Sequence, residues 1–290
     1  MSSRFETVEE PMADSAATFE RQVADGDRFE FGRNWARFLD GLNDDRIAAA
    51  EASLHSFLGQ PLENRTFLDI GSGSGLFSLA AMRLGASRVH SLDFDPQSVA
   101  CTESLRRRFF KDDPRWTVEH GSALDADYLR SLGHWDVVYS WGVLHHTGAM
   151  WSAVANALER VAPGGRLYIA LYNDQGLVSK GWTTVKRLYN TSPVHRAVVS
   201  AMFLPYFIAG GIASDLARGR SPLQRYRAPA GVRGMSAWTD WHDWLGGYPF
   251  EVATPEAVLA FVRGRGFELS RLRTCGGRMG CNEFVFERRG

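Results

Sequence analysis

The strongest chemical signal in this chain is Phe67-Leu68-Asp69-Ile70-Gly71-Ser72-Gly73-Ser74-Gly75, where an apolar run gives way to alternating glycine. Glycine lets the backbone approach a ligand closely and aim its amides at it. A second apolar run, twenty-two residues on from Gly71, ends at Asp93, a carboxylate placed to accept hydrogen bonds from a ribose diol. The pair marks a site for an adenosine-type cofactor. A dinucleotide fingerprint would require Gly or Ala where Leu76 stands, so the pattern lacks the pyrophosphate form.

Three histidines are candidate bases. His145 and His146 end the run Asp136-Val137-Val138-Tyr139-Ser140-Trp141-Gly142-Val143-Leu144-His145-His146, and His242 lies between Asp240 and Asp243 in a segment that also holds Trp238, Trp241 and Trp244. An imidazole titrates near working pH and suits proton transfer from a hydroxyl. Shaping a loop through backbone hydrogen bonds is the alternative role. One His with two Asp and no further spaced ligands makes a poor metal site, so no metal is expected. Cys101, Cys275 and Cys281 are expected as reduced thiols, because three cysteines make no disulfide framework.

These groups need a scaffold, and the alternation of apolar runs supplies one. Strands are expected over 66–70, 88–93, 116–119, 135–140 and 166–172, with helices over 75–84, 96–109 and 150–161 between them. Such a rhythm gives parallel strands joined by right-handed crossovers, with ligands beyond their carboxyl ends. A helix over 45–58 precedes the rhythm. Another over 254–263 follows it, with Thr254 as N-cap and Pro255 in the first helical position. Closing strands over 268–274 and 283–287 flank the Gly-rich turn from Cys275 to Asn282, and a hairpin makes the last strand antiparallel. The expected fold is α/β: a Rossmann-like seven-stranded sheet, mostly parallel with an antiparallel last strand, carrying a helical insert after strand five.

Four features in order, Gly71-x-Gly73-x-Gly75 with Asp93, Gly121-Ser122-Ala123, the 136–146 run and Gly164-Gly165-Arg166-Leu167, resemble the class I S-adenosylmethionine-dependent methyltransferases. The branch resembled most is the one that includes ubiquinone-biosynthesis-type enzymes. The resemblance covers 67–172 and, more weakly, the closing hairpin. It implies that Asp69, Gly71, Ser72, Gly73 and Gly75 hold the methionine part of S-adenosylmethionine, that Asp93 takes the ribose hydroxyls and that Phe94 flanks the adenine. Ser122 and Ala123 would meet the adenine edge. Ser122 stands where an acid is usual, with Asp125 as the nearby substitute. Ser140 and Trp141 complete the expected cofactor set, Trp141 being able to face a sulfonium through its ring.

Methyl transfer requires the acceptor lone pair in line with the methyl–sulfur bond in a dry site, and only a hydroxyl acceptor needs a base. The function expected is therefore methyl transfer to a small or apolar acceptor, oxygen favoured for the sake of the three histidines. N- or C-methylation is the alternative. From another class, the chain would be a non-catalytic cofactor-binding subunit that docks a partner or a membrane. A nicotinamide oxidoreductase is disfavoured by Leu76. Substrate candidates are Trp35 in an N-terminal lid beside Asn34, Tyr172 at the end of strand five, Trp241 and Asp243 in the tryptophan segment, and Arg278 and Asn282 on the hairpin turn.

The domain plan follows: a mobile acidic tail over 1–28, an N-terminal helical lid over 29–60, the cofactor-binding domain over 61–172 and 251–290, and a basic, aromatic insert over 173–250. With 33 Lys plus Arg against 33 Asp plus Glu, the chain has no global field to gather phosphate backbones, and no nucleic-acid partner is expected. Charge is segregated locally, however. Nine bases and one acid, Asp215, lie between Lys180 and Gly234, around an uncharged run from Ala197 to Ser214. Pro205 and Gly210-Gly211 are expected to interrupt that run before it could span a bilayer. A lid over an apolar pocket, a weak contact with anionic lipid and plain helix packing all suit it. The amino terminus shows no charged-then-apolar signal, so a cytoplasmic location is expected.

Overall fold

The computed structural model describes residues 15–59, 61–219, 221–222 and 237–290. The tail expected over 1–14 lies outside the described residues, as do Arg220, Arg225, Arg227 and Arg233 and the side chains of Trp238 and Asp240. Strands β1 (Thr66–Ile70), β2 (Arg88–Asp93), β3 (Trp116–His120), β4 (Trp135–Trp141), β5 (Val161–Tyr172), β6 (Phe267–Arg273) and β7 (Cys281–Arg288) form one sheet. Their order is β3-β2-β1-β4-β5-β7-β6. The first five pair in parallel, and β7 runs antiparallel to both β5 and β6. Chain order reverses between β1 and β4, which opens a crevice beyond their carboxyl ends.

Helices α1 (Ser15–Ala24), α2 (Gly32–Asp40), α3 (Asp44–Leu58), α4 (Leu76–Arg83), α5 (Pro96–Phe109), α6 (Ala126–Ser131) and α7 (Met150–Glu159) precede β5. After it come α8 (Leu177–Thr191), α9 (Pro193–Ala217), α10 (Ala237–Gly246) and α11 (Pro255–Arg263). Local chemistry sets their starts: Asp95 accepts from the Gln97 amide ahead of α5, Asp125 from Tyr128 ahead of α6, and Thr254 from Ala257 ahead of α11. Both sheet faces are covered. One core joins Leu54, Leu58, Phe67, Leu79 and Val137; the other joins Leu68, Val138, Val154, Val258 and Phe284. Strands buried on both sides read as continuous apolar runs, which is why they were legible.

Three expectations are corrected. Residues 15–28 are not loose tail: Ser15–Ala24 is helical, and Phe19 is buried edge-on against Phe94 at 5.6 Å. β5 begins at Val161, because the Pro163-Gly164-Gly165 segment stays within the strand at a register shift opposite Trp135 and Val137. α9 runs unbroken through Pro205 and Gly210-Gly211. Pro205 is exposed, so the carbonyl one turn earlier that it deprives of a partner meets water instead. By length and composition α9 could cross a membrane.

Phe284 on β7 is fully buried and stacks on Phe286 at 5.6 Å. Phe284→Ala should cost about 3–5 kcal/mol in urea unfolding. A loss below about 1 kcal/mol would contradict this packing.

Candidate active site

The glycine loop leaves β1 at the sheet reversal and is pressed between two neighbours. Gly71 has φ 83°, and a Cβ there would fall 2.4 Å from Val143 Cγ1. A Cβ on Gly73 would fall 2.9 Å from Trp35 Nε1, so α2 lies directly on the loop. The Gly71 and Ser72 amides donate to the Leu92 carbonyl at 2.8 and 3.0 Å. The Gly73 amide donates to Asp93 Oδ2 at 2.9 Å, and the Asp95 amide donates to Asp93 Oδ1 at 2.9 Å. Burial pushes the Asp93 carboxyl up to about 6 while those amides pull it back. Below the loop, Asp69 accepts from the Ser78 hydroxyl, and burial pushes its pKa up to about 7.

A cavity of about 730 Å³ runs over this loop. On its β1–β2 side it is lined by Gly71, Ser72, Gly73, Asp93, Phe94, Ser122 and Ala123; on its β4–β5 side by Trp141, His146, Tyr172, Trp241, Asp243 and Trp244. The fit to S-adenosylmethionine rests on the cavity that lies over the Gly71–Gly73 backbone and on a carboxylate at Asp93 half open to it. Trp35 also lines it, and the indole of Trp141 donates to Glu283 at 3.2 Å.

The three histidines separate clearly. His146 lines the cavity, and its Nδ1 lies 2.6 Å from the Pro249 carbonyl. A carbonyl only accepts, so Nδ1 carries the proton and Nε2 keeps the lone pair. Burial, with Lys186 and Arg28 nearby, pushes His146 down to about 3, so the ring is neutral. His145 is fully buried outside the cavity; its Nδ1 accepts the Tyr172 amide at 3.3 Å, and its ring packs 3.9 Å from that of Tyr172. His242 meets the Tyr189 hydroxyl at 3.1 Å in a separate cavity of about 280 Å³. Successive helical residues point about 100° apart, so α10 turns Trp241 and Trp244 inward and His242 away. The structure therefore places His145 and His242 outside the cavity that His146 lines.

Other expectations resolve in the same way. Ser140 is buried beneath the site and donates to the Ile70 carbonyl at 2.7 Å. Gly75 packs on Thr102 behind the loop. Asp125 caps α6 and is not among the residues that line the cavity. Arg278 is exposed beside the cavity-lining Met279. Asn282 braces the hairpin, accepting from the Cys275 amide and donating to Asn173.

Sequence reasoning missed Arg28 and Lys186. Arg28 lies 5.0 Å from the Phe94 ring and donates to the His146 carbonyl at 3.0 Å. Burial pushes it down to about 10 against the pull of Asp93 and Asp95. Lys186 is fully buried, donates to the Trp244 carbonyl and sits 4.2 Å over the Trp244 ring. Burial pushes it down to about 7 although Asp243 opposes the shift. Asp243 in turn accepts from the Asn34 side chain, which joins α2 to α10.

Comparison with known proteins agrees with this geometry. Residues 68–167 match a family model described as a methyltransferase domain. The chain is 41% identical over 73 residues to the ribosomal protein L11 methyltransferase of Halorhodospira halophila, covering 24% of this chain and 25% of that protein. It is 32% identical over 109 residues to the tRNA U34 carboxymethyltransferase of Shewanella loihica, covering 38% and 32%. The chain thus spans a quarter to a third of the length of these curated relatives. Among solved structures, the magnesium protoporphyrin IX methyltransferase of Synechocystis PCC 6803 with bound SAM aligns over 97% of this chain and 100% of that one, at TM-score 0.52 and 12% identity. An O-methyltransferase family protein from Burkholderia thailandensis aligns over 96% and 69%, at TM-score 0.53 and 16% identity. The fold is that of the S-adenosylmethionine-dependent methyltransferases.

Two measurements follow. Asp93→Ala should weaken S-adenosylmethionine binding by about 1–3 kcal/mol in calorimetric titration; unchanged affinity would remove Asp93 from the site. For His146, the unfolded chain takes up a proton below about pH 6.5 that the folded chain refuses until about pH 3. Stability should therefore fall as pH drops through that window, by at most about 1.4 kcal/mol per pH unit from this group. Urea unfolding at pH 7 and pH 5 should show a smaller loss for His146→Leu than for the wild type, and an equal loss would contradict a neutral buried ring.

Proposed function

We propose that the chain is an S-adenosylmethionine-dependent methyltransferase that moves a methyl group to a small or apolar acceptor, with oxygen the favoured atom. The observation that carries this reading is the single cavity joining the glycine loop and Asp93 to an aromatic chamber that holds a neutral histidine. The bound cofactor supplies an electrophilic methyl group. Asp93 accepts from the ribose hydroxyls, Phe94 and Ala123 flank the adenine, and the Gly71–Gly73 backbone leaves room for the methionine part. Tyr172, Trp241 and Trp244 exclude water and hold an apolar acceptor.

His146 Nε2 accepts a hydrogen bond from the acceptor hydroxyl and turns an oxygen lone pair toward the methyl group. As the carbon–oxygen bond forms the methyl–sulfur bond breaks, S-adenosylhomocysteine leaves, and the hydroxyl proton passes on to solvent because the ring does not retain it. A ring this hard to protonate is a weak base, so it suits an acidic hydroxyl such as a phenol or an enol. The sequence resemblance to ubiquinone-biosynthesis-type enzymes supports the same acceptor class. The tRNA and ribosomal-protein acceptors named for the curated relatives belong to proteins matched over 109 and 73 residues only.

The test is titration with S-adenosylmethionine, S-adenosylhomocysteine and NADH, followed by turnover with phenols and quinols. Binding of the first two alone is expected. His146→Phe should lower turnover about 10- to 100-fold with S-adenosylhomocysteine affinity unchanged within about twofold. Absence of binding by either sulfur ligand would overturn the reading.

A further inference from the structure

Nine of the thirteen large apolar residues that are exposed among the described residues lie on α8 and α9, which makes this hairpin the apolar surface of the molecule. On α9, Val194, Val198, Met202 and Tyr206 follow one another at four-residue spacing, and Ile212 and Leu216 return to the same side. At about 100° per residue the six fall within an arc of about 120°. Met202 and Tyr206 are each 64% exposed. The opposite face of α9 is already occupied: Phe203 and Phe207 pack on Trp182 of α8, and Phe207 stacks on Trp241 of α10. A contiguous exposed apolar stripe of this length marks an interaction surface.

Charge indicates what covers it. The block from Lys180 to Gly234 has nine bases and one acid, in a chain whose total charge is zero. That single acid, Asp215, is buried, and so is Lys186; among the described residues the block leaves Lys180, Arg187, Arg196 and Arg218 exposed. Arg196 stands in the first turn of α9 and Arg218 just past its last, both exposed, so cations bracket a stripe that carries none. Apolar side chains framed by Arg and Lys are the composition of a helix lying in the headgroup region of an anionic bilayer. A nucleic-acid backbone would want the cations on the surface itself.

We propose that the α8–α9 hairpin lies in the interface of an anionic lipid bilayer and that the cavity takes its acceptor from that bilayer. It lies in the interface instead of spanning because its inner face is sealed by protein aromatics. The same helix walls the cavity: Phe207, on the inner face of α9, lines it one residue away from exposed Tyr206, so the cavity and the stripe lie on opposite sides of one helix. The acceptor is then an amphiphile whose apolar tail remains in lipid while its polar head reaches His146. This second half rests on the methyltransferase reading above.

The experiment is flotation of the full-length protein with vesicles of phosphatidylcholine alone, or with about three parts in ten of phosphatidylglycerol. The protein should float with the anionic vesicles at least about tenfold more than with the neutral ones. Met202→Glu combined with Tyr206→Glu should abolish flotation while S-adenosylhomocysteine titration stays unchanged. No flotation of the wild type overturns the proposal. So does light scattering that shows the stripe consumed in a dimer which the double variant dissolves, or retention by tRNA in place of vesicles. Flotation without any binding of S-adenosylhomocysteine overturns the methyltransferase reading and the acceptor route, and leaves the membrane docking standing.

Discussion

The carboxylate of Asp93 is the joint on which the site depends. It ends β2, holds the glycine loop through the Gly73 amide and the start of the next loop through the Asp95 amide. Asp95 extends the joint outward: one of its oxygens caps α5 through Gln97, and the other accepts the Gly32 amide at 2.7 Å at the start of α2. Hydrogen bonds to charged acceptors each contribute about 1.5–3 kcal/mol. Two neighbouring acids therefore fasten three segments that the sequence separates, and bring Trp35 down on Gly73. Burial raises the Asp93 pKa, and the amides of Asp95 and Gly73 offset part of that cost.

On the far side of the cavity the ordering principle is aromatic packing around buried cations. Lys186 lies over the rings of Trp244 and Phe250 at 4.2 and 4.7 Å, and so fixes α8 to α10 and to the chain that follows it. Tyr172 meets Trp244 and Phe250 at 5.4 and 5.2 Å, carrying the same cluster back to the end of β5. A buried ammonium is tolerated there because ring faces and a carbonyl replace part of its hydration. The insert is thus the wall of the chamber, and its shape is set by β5 and α8 jointly.

Most of the scaffold was legible because its signals are local. Double-sided burial gave β1 and β4 as largely apolar runs, while Asp95-Pro96 and Thr254-Pro255 announced the starts of α5 and α11. Of the residues named from sequence, the glycine loop, Asp93, Phe94, Ser122 and Ala123 line one side of the cavity, and Trp141, His146, Tyr172, Trp241 and Asp243 line the other. His145 and His146 are adjacent and identical in type, and only the short turn from Leu144 to His146 decides which ring meets the cavity. His242 failed for a similar reason, since a half-turn of α10 separates the cavity from its neighbour. Lys186 read as one more base in a basic helix, and Arg28 as one base in an acidic tail. Neither residue carries a mark in sequence of the burial that gives it its role.

Those two overlooked cations bear on the oxygen acceptor proposed above. Burial is the larger cause of the lowered basicity of His146, and Lys186 and Arg28 add to it. Burial also opposes ionisation of a hydroxyl placed beside the ring, and neighbouring cations offset part of that cost. On the proposed reading the acceptor therefore keeps its proton to donate to Nε2, and a neutral ring that orients it suffices for a hydroxyl that is already acidic. The weak base and the cations beside it are thus compatible with each other on the proposed reading, in which the ring orients an acidic hydroxyl and does not deprotonate it.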